Sequence, residues 1–333
     1  MDLFKRKNKQ VSAGRVAVGL DIGSSAVRMV KLRMEEDGAE LLDFAIKPGL
    51  KQVASGLDIK RINTAVSGPS ALIRYVLFPR MNPQELKQAL RFEAQKHIPF
   101  AVSELNMDAC ILKAEMPDNK MLVLLAAIKK DNVEQRIEMI RSHGLEISVI
   151  DFDAVALVNA FNFSYADDPD VKGKTIALLN IGASFSNLNI LEDGIPRMSR
   201  DIHQAGNHLT QKLMDVFSVD FKTAEKIKRA PDPDKQAKVK TLTEAVLTEI
   251  AGEVRISFDF HESQSTSAVS DIFLTGTASI GPEVREILGG LLGMEVCAWD
   301  PLKKIRCSGA VQEKKIDEYA HELAVAVGLA LRG

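Results

Sequence analysis

Two short stretches of this chain set the same kinds of group behind the same kind of strand. Gly19-Leu20-Asp21-Ile22-Gly23-Ser24-Ser25 completes an apolar run from Val16, and Leu179-Asn180-Ile181-Gly182-Ala183-Ser184 completes another from Ile176. Asp21 and Asn180 hold equivalent places, 180 − 21 = 159 residues apart. A strand, a glycine turn and a second strand expose backbone N–H groups along a concave edge, and glycine lets an anion approach the main chain. The hydroxyls of Ser24 and Ser25 add neutral donors. The chemistry is phosphate binding. Asp21, one step before its turn, can hold a hydrated Mg²⁺, which needs only one or two anionic ligands. A single turn of this kind also suits a plain hairpin. Two copies, each opening a β-rich half, predict a shared cleft in which paired turns grip a phosphate chain.

Two further groups fit such a cleft. Ile272-Phe273-Leu274-Thr275-Gly276-Thr277-Ala278 is an apolar strand opening into small residues. That turn can admit a flat adenine ring, and it equally suits an ordinary strand-to-helix loop. Glu225 and Lys228 stand three apart, so they share one helix face. There they can bridge two vicinal ribose hydroxyls or form a plain surface ion pair.

The elements that must carry these groups follow from periodicity and punctuation. Strands are predicted over 16–20, 26–33, 41–46, 62–66 and 72–78, with turns at Gly23 and Asp37-Gly38. Asn82 caps a helix whose first position is Pro83, and Leu86, Leu90 and Ala94 continue it at helical spacing. Strands at 102–114 and 121–128, a helix at 132–142, a strand at 147–150 and a helix at 154–161 complete the first half. The polar stretch 166–172 makes the domain boundary. The pattern then restarts with strands at 175–181, 185–192 and 195–201 and helices near 207–217, 220–229 and 235–262. A strand at 271–274, a helix at 281–292, a strand at 295–298 and a closing helix at 317–331 end the chain.

Bulk properties exclude several classes. At 333 residues the chain has room for two medium cores. A formal net charge of −2 argues against a generic nucleic-acid binder, and 26% charged residues fits a soluble chain. The longest apolar stretches, such as Met121–Ile128, fall far short of the ~20 residues that a membrane helix needs. Cys110, Cys297 and Cys307 lack metal-ligand spacing and read as free thiols in a reducing compartment. The basic leader Phe4–Lys9 is a solvated tail, or a weak bias toward an anionic membrane worth ~1 kcal/mol per cation.

Together these residues resemble the actin-like ATPase superfamily. The Gly19–Ser25 and Leu179–Ser184 stretches are similar to its two phosphate motifs, and Leu274–Ala278 to its adenosine motif. Within it, three further stretches resemble the PilM family of type IV pilus assembly. They are Leu90–Phe100; Ser199-Arg200-Asp201-Ile202 with Gly206-Asn207-His208-Leu209-Thr210; and Ala324–Arg332. The resemblance runs from about Val16 to Gly333. It implies an α/β, two-lobed actin-like fold, a duplicated ribonuclease H-like one, with a small inserted subdomain in each half. The basic leader takes 1–14. The first lobe takes 15–170 with an insert at about 80–124, and the second takes 171–333 with a helical subdomain at about 212–268.

The same resemblance implies ATP and Mg²⁺ as ligands. The nucleotide residues would be Asp21, Gly23, Ser24, Ser25, Asn180, Gly182, Ala183, Ser184, Glu225, Lys228, Gly276 and Thr277, with Asp21 holding the metal through water. It also implies a cytoplasmic scaffold that binds the cytoplasmic N-terminal peptide of a PilN-type inner-membrane protein. Such a scaffold meets other pilus assembly proteins, reaches the membrane only through partners, and can form homo-oligomers. Leu86, Leu90 and Phe92 are the candidate lining of the peptide groove, and they also suit internal packing.

The chain departs from the family pattern at four places. Asn180 stands for an aspartate, Thr277 for the second glycine of the adenosine turn, and Ala205 for the first glycine of a Gly-Gly-Asn phrase. The stretch from Ile46 to Ile62 is shortened. These changes disfavour tight, Mg²⁺-dependent hydrolysis, so the expectation is at most a weak ATPase, in which Asp21 or Asp201 assists a slow hydrolysis. An active ATPase or small-molecule kinase of this fold is the competing reading. A membrane-tethering relative of FtsA ranks last, because no lysine-rich amphipathic extension follows Leu331.

Overall fold

The structure is a computed structural model that describes residues 14–68, 71–265, 267–278, 282–312 and 316–332. The basic leader therefore lies outside the described residues, save Gly14, as does the first residue of the helix expected at 281–292.

The chain opens on β1 (Val16–Ile22), β2 (Val27–Glu35) and β3 (Gly38–Lys47), hairpin-linked at the two anticipated turns. The short stretch that follows holds only a small helix, α1 (Leu50–Ala54), before β4 (Arg61–Val66) and β5 (Ala71–Pro79). Helix α2 (Pro83–His97) starts as its sequence dictates. The Asn82 side-chain carbonyl accepts from the N–H groups of Gln84 and Glu85, both at 2.9 Å, while Glu85 accepts from the Asn82 N–H at 2.8 Å. Next come β6 (Leu105–Met116), β7 (Lys120–Lys129), α3 (Lys130–Arg141), β8 (Glu146–Phe152) and α4 (Asp153–Tyr165).

The hairpin pattern then returns as β9 (Thr175–Ile181), β10 (Ser186–Glu192) and β11 (Ile195–Ile202). Helices α5 (Gly206–Phe217), α6 (Phe221–Arg229) and α7 (Gln236–Gln264) precede β12 (Asp271–Thr275), α8 (Pro282–Leu292) and β13 (Glu295–Ala298). The chain closes with β14 (Ile305–Cys307), α9 (Gly309–Gln312) and α10 (Ala324–Leu331).

Two compact units result. One holds the chain up to Ser164, Ile195–Ser199 and everything from Pro301 on; the other holds Tyr165–Gly194 and Arg200–Asp300. A second half running from 171 to the C-terminus is thereby corrected. The chain beyond Pro301 returns to the first unit because β14 pairs in parallel with β3 and α10 packs on β1 and β2.

Two large sheets carry the fold. The first has the order β14-β3-β2-β1-β4-β8 and the second β11-β10-β9-β12-β13. Setting β14 aside, the two orders are the same. In each, the first strand pairs antiparallel with the second and parallel with the fourth. The first unit also carries a three-stranded sheet, β5-β7-β6. This sheet takes in β5, so the insert begins before the residue-80 boundary expected for it. Its middle strand alternates in the manner of a strand covered on both faces. Met121, Val123, Leu125 and Ala127 pack in clusters with Leu86, Leu90, Ala94 and Ile98 around α2, while Leu124, Ala126 and Ile128 pack with Val66, Val133, Ile150 and Phe152.

The tightest packing in the first unit lies where α10 meets β1 and α4. A Cβ at Gly19, in the middle of β1, would stand 2.6 Å from the Ala330 nitrogen and nearer still to the Ala326 carbonyl. A Cβ at Gly328 would stand 2.9 Å from Ala156 Cα and nearer still to that residue's carbonyl. The sequence Ala324-Val325-Ala326-Val327-Gly328-Leu329-Ala330 is small enough to permit this approach, and all of it is buried. Asn63 Nδ2 donates to the Leu329 carbonyl at 2.9 Å, and Arg332 Nε lies 2.8 Å from Asp151 Oδ2 in a buried ion pair.

The single closing helix expected at 317–331 is broken. Ile316–Glu318 and Ala320–Glu322 are separate 3₁₀ turns, and α10 begins only at Ala324. The N–H groups of Tyr319, Glu322 and Leu323 donate to carbonyls three residues back, which tightens this stretch.

Gly328→Val should therefore cost more than an ordinary core enlargement. The obstructing atoms are backbone, so a loss at or above ~3 kcal/mol is expected, read as a lowered urea midpoint at unchanged slope. A variant as stable as wild type would show that the helix can retreat.

Candidate functional site

The two glycine turns are built alike. The Gly23 N–H donates to the Ala26 carbonyl at 3.1 Å, and the Gly182 N–H donates to the Phe185 carbonyl at 3.1 Å. Both pairs are displaced by the same interval, 182 − 23 = 185 − 26 = 159. In the ladders behind them, Asp21 stands directly opposite Arg28 on β2, and Asn180 directly opposite Asn187 on β10. The charged residue faces a charge, and the neutral residue faces a neutral one.

Arg28 organises the first turn. Its Nη1 lies 3.8 Å from Asp21 Oδ2 and donates to the Ala26 carbonyl at 3.2 Å. Its Nη2 donates to Ser25 Oγ at 3.4 Å and to Glu322 Oε2 at 2.8 Å, and its Nε donates to the same carboxylate oxygen at 3.2 Å. Arg28 is almost wholly buried and Glu322 largely so. Burial pushes the Asp21 carboxyl above the usual carboxylate range; Arg28 and Arg136 pull it back, and Glu322 adds to the rise. The neighbouring His321 is held below its ordinary value, first by burial and then by Arg28, with Glu322 opposing.

This donor set does not fit Mg²⁺ at Asp21. A guanidinium already stands beside the carboxylate and crosses the turn, and a cation there would meet Arg28 at short range. Among the described residues, no group of three or more His, Cys, Asp or Glu side chains could hold a metal ion.

In the second unit, Gly182, Ala183 and Ser184 are pinned by the start of α5. The N–H groups of Gly206 and Asn207 donate to the carbonyls of Gly182 and Ala183 at 3.0 and 2.8 Å, and Asn207 Nδ2 donates to Ser184 Oγ at 3.2 Å. Gly276 sits in the left-handed region, at φ 106°, where a Cβ would lie 2.5 Å from the Ile181 carbonyl oxygen and closer still to Asn180 Oδ1. Asn180 thus touches the adenosine-type turn, and the Ala278 N–H donates to the Ile181 carbonyl at 2.9 Å. Thr277, between them, is half-buried.

Glu225 and Lys228 do share a face of α6, and they are joined to α5. Lys228 Nζ pairs with the Glu225 carboxylate and donates to Thr210 Oγ1 at 2.8 Å, while the Thr210 hydroxyl donates to Glu225. Lys228 also reaches the Gly206 carbonyl at 3.4 Å. The donor set of this unit fits a phosphate-bearing nucleotide in kind. It offers a glycine turn, a serine hydroxyl and a half-buried ammonium–carboxylate pair.

The candidate peptide-binding residues separate. Leu86 and Leu90 face the three-stranded sheet and are buried, so they serve α2's own packing. Phe92 is 75% exposed on the same helix. The residues missed from sequence are Arg28, Arg136 and Glu322. Arg28 was recoverable, because a hairpin turn after Ile22 places it across from Asp21. Glu322 lies 322 − 28 = 294 residues from Arg28, and no local pattern links them.

Comparison with known proteins adds the following. The family described as type IV pilus assembly protein PilM matches residues 45–333. A solved structure described as the PilM-PilN type IV pilus biogenesis complex is 24% identical and has a TM-score of 0.83, over 95% of this chain and 98% of that one. The ethanolamine utilization protein EutJ from Carboxydothermus hydrogenoformans is 15% identical with a TM-score of 0.57, over 96% and 90%. These likenesses show the fold, the two-lobed actin-like one.

The raised Asp21 carboxyl gives a pH signature. Folded protein binds that proton more tightly than unfolded chain, so its favourable contribution is present below the ordinary value of 3.8 and is lost as pH rises through the folded value. Asp21→Asn removes this loss. Its stability relative to wild type should therefore grow as pH rises from below 3.8, measured by urea midpoints. A difference independent of pH would contradict the assignment.

Proposed function

The chain belongs to the PilM family of type IV pilus assembly proteins, and from that premise we propose that it is a scaffold for a membrane partner. Its ligand is the cytoplasmic N-terminal peptide of a PilN-type inner-membrane protein. The observation that carries this reading is the likeness in fold, across nearly the whole chain, to a protein described in complex with PilN. No helix among the described residues is long and apolar enough to cross a membrane. In this proposal the protein stays peripheral to the inner membrane and is held there by its partner.

Phe92 is the contact we assign to the peptide from this chain's own side chains. A large aromatic group exposed on a capped, well-packed helix is a ready anchor, since its backbone is already fixed by Leu86 and Leu90 beneath it.

ATP enters the proposal as a structural or switching ligand. Each unit is taken by itself: the first offers Asp21, Gly23, Ser24 and Ser25, and the second offers Asn180, Gly182, Ala183, Ser184, Glu225, Lys228, Gly276 and Thr277. A ligand that favours one conformation shifts the balance by its differential affinity. Fast hydrolysis would need a base or a water-positioning group near the reacting phosphate. Of the two carboxylates offered for that task, Asp21 is engaged with Arg28, and Asp201 accepts from Asn187 Nδ2 at 2.7 Å.

Two measurements test this reading. Calorimetric titration with the partner's N-terminal peptide should show binding, and Phe92→Ala should weaken it about tenfold or more at an unchanged melting temperature. Equal affinity of the variant would remove Phe92 from the interface, and no binding by wild type would end the proposal. Steady-state phosphate release should stay below ~1 s⁻¹, and a rate well above that would favour the ATPase or kinase reading.

A further inference from the structure

The first turn already holds an anion. The Glu322 carboxylate receives two donors from the Arg28 guanidinium, at 2.8 and 3.2 Å through one oxygen, in a largely buried setting. The same guanidinium spans the turn to Ser25 Oγ and the Ala26 carbonyl. Nearby, Arg136 acts on Asp21, yet its Nη1 is buried without a hydrogen-bond partner among the described residues. A buried guanidinium nitrogen left unmatched is costly, and an anion beside it would relieve that cost. Counting Arg28 and Arg136 against Asp21 and Glu322 leaves no net charge, so a phosphate added to the full set would be repelled, whereas a phosphate exchanged for one carboxylate would not.

We propose that Glu322 is the resident anion of this turn, and that a phosphate group enters by displacing it from Arg28, without a divalent cation. The inference rests on the reading that the chain binds a phosphate-bearing nucleotide. The exchange keeps the donors satisfied. The Glu322 Oε2 atom leaves the Arg28 Nε and Nη2 groups, and a phosphate oxygen accepts from the same two donors. Asp21 keeps its place beside Arg28, which is why no metal is needed. The displaced residue belongs to the Ala320–Glu322 turn, one residue before the helix that rests on Gly19. Phosphate binding therefore frees the turn preceding α10, while the packing of α10 itself stays.

The test is calorimetric titration of the full chain with ATP, and separately with inorganic tripolyphosphate, in EDTA and in excess Mg²⁺. Affinity in EDTA should equal that in Mg²⁺ within a few-fold. Glu322→Gln removes the competing charge and should bind more tightly, by about three- to tenfold. Hydrogen exchange across 316–323 should rise when ATP is added to wild type and be high without ATP in Glu322→Gln. Arg28→Gln leaves a buried carboxylate unmatched, so it is compared as the double variant Arg28→Gln/Glu322→Gln, which should lose the gain of the single Glu322 change. ATP binding seen only with Mg²⁺, or unchanged affinity in Glu322→Gln, overturns the inference and leaves the nucleotide reading standing. Absence of binding by either probe in every condition overturns both.

Discussion

A helix laid against a strand with no side chain between them governs the first unit. Ordinary helix-on-sheet contact keeps backbones well apart through their side chains. Gly19 and Gly328 remove that spacer, so the α10 main chain meets β1 on one side and α4 on the other. Such contact gains dispersion only if it is near-perfect, and it tolerates no added atom. The polar consequences are met individually. The Leu329 carbonyl is bonded by Asn63, and the chain end is tied by Arg332 to Asp151. Because α10 has one permitted seat, the residues just before it are placed as well. That places Glu322 against Arg28 across 294 residues of sequence.

The two glycine turns show what duplication keeps and what it lets go. Hydrogen-bonding geometry is kept, down to the N–H to carbonyl bond that closes each turn. Electrostatics is not. The first copy carries Asp21 against Arg28, and the second carries Asn180 against Asn187. Opposed pairs on adjacent strands are a unit of sheet stability, so a change at one member is tolerated only alongside a suitable partner. The neutral pair extends inward, with Asn187 donating to Asp201 at 2.7 Å and Asn189 donating to Asn187 at 2.6 Å. The charged pair extends outward to Glu322. Each copy has become the end of its own polar network.

Local signals accounted for most of the architecture. Hairpins at Gly23 and Asp37-Gly38, the Asn82 cap with Pro83, and the alternating faces of β7 are all written within a few residues. The rest has a different origin. The return of the chain beyond Pro301 to the first unit depends on β3, β1 and β2, partners distant in sequence, and the packing of Leu86 and Leu90, one of the two readings their spacing allowed, depends on the strands beneath α2. Periodicity identifies an apolar face without naming what covers it. Thus Leu86, Leu90 and Phe92 looked equivalent on one helix, and only packing separates the two that face the sheet from the one that faces solvent. The turns were legible as turns because glycine and serine mark them locally, whereas Arg28 is visible only across a hairpin and Glu322 only in space.

The disposition of polar groups bears on scaffold against enzyme. Rate enhancement depends on donors and dipoles held ready for charge that develops later. Here the candidate groups are committed to the protein itself. Lys228 holds Glu225, Thr210 and the Gly206 carbonyl; Asn207 holds Ser184; Arg28 holds Glu322 and spans its own turn. Recruiting any of them to a reacting phosphate first requires breaking a bond already made, a cost shared by ground state and transition state that leaves less of the binding energy for rate enhancement. The same commitments suit a ligand that is bound and kept. Breaking one internal pair to form an equivalent external one costs little net free energy, yet it moves whatever the internal pair was holding.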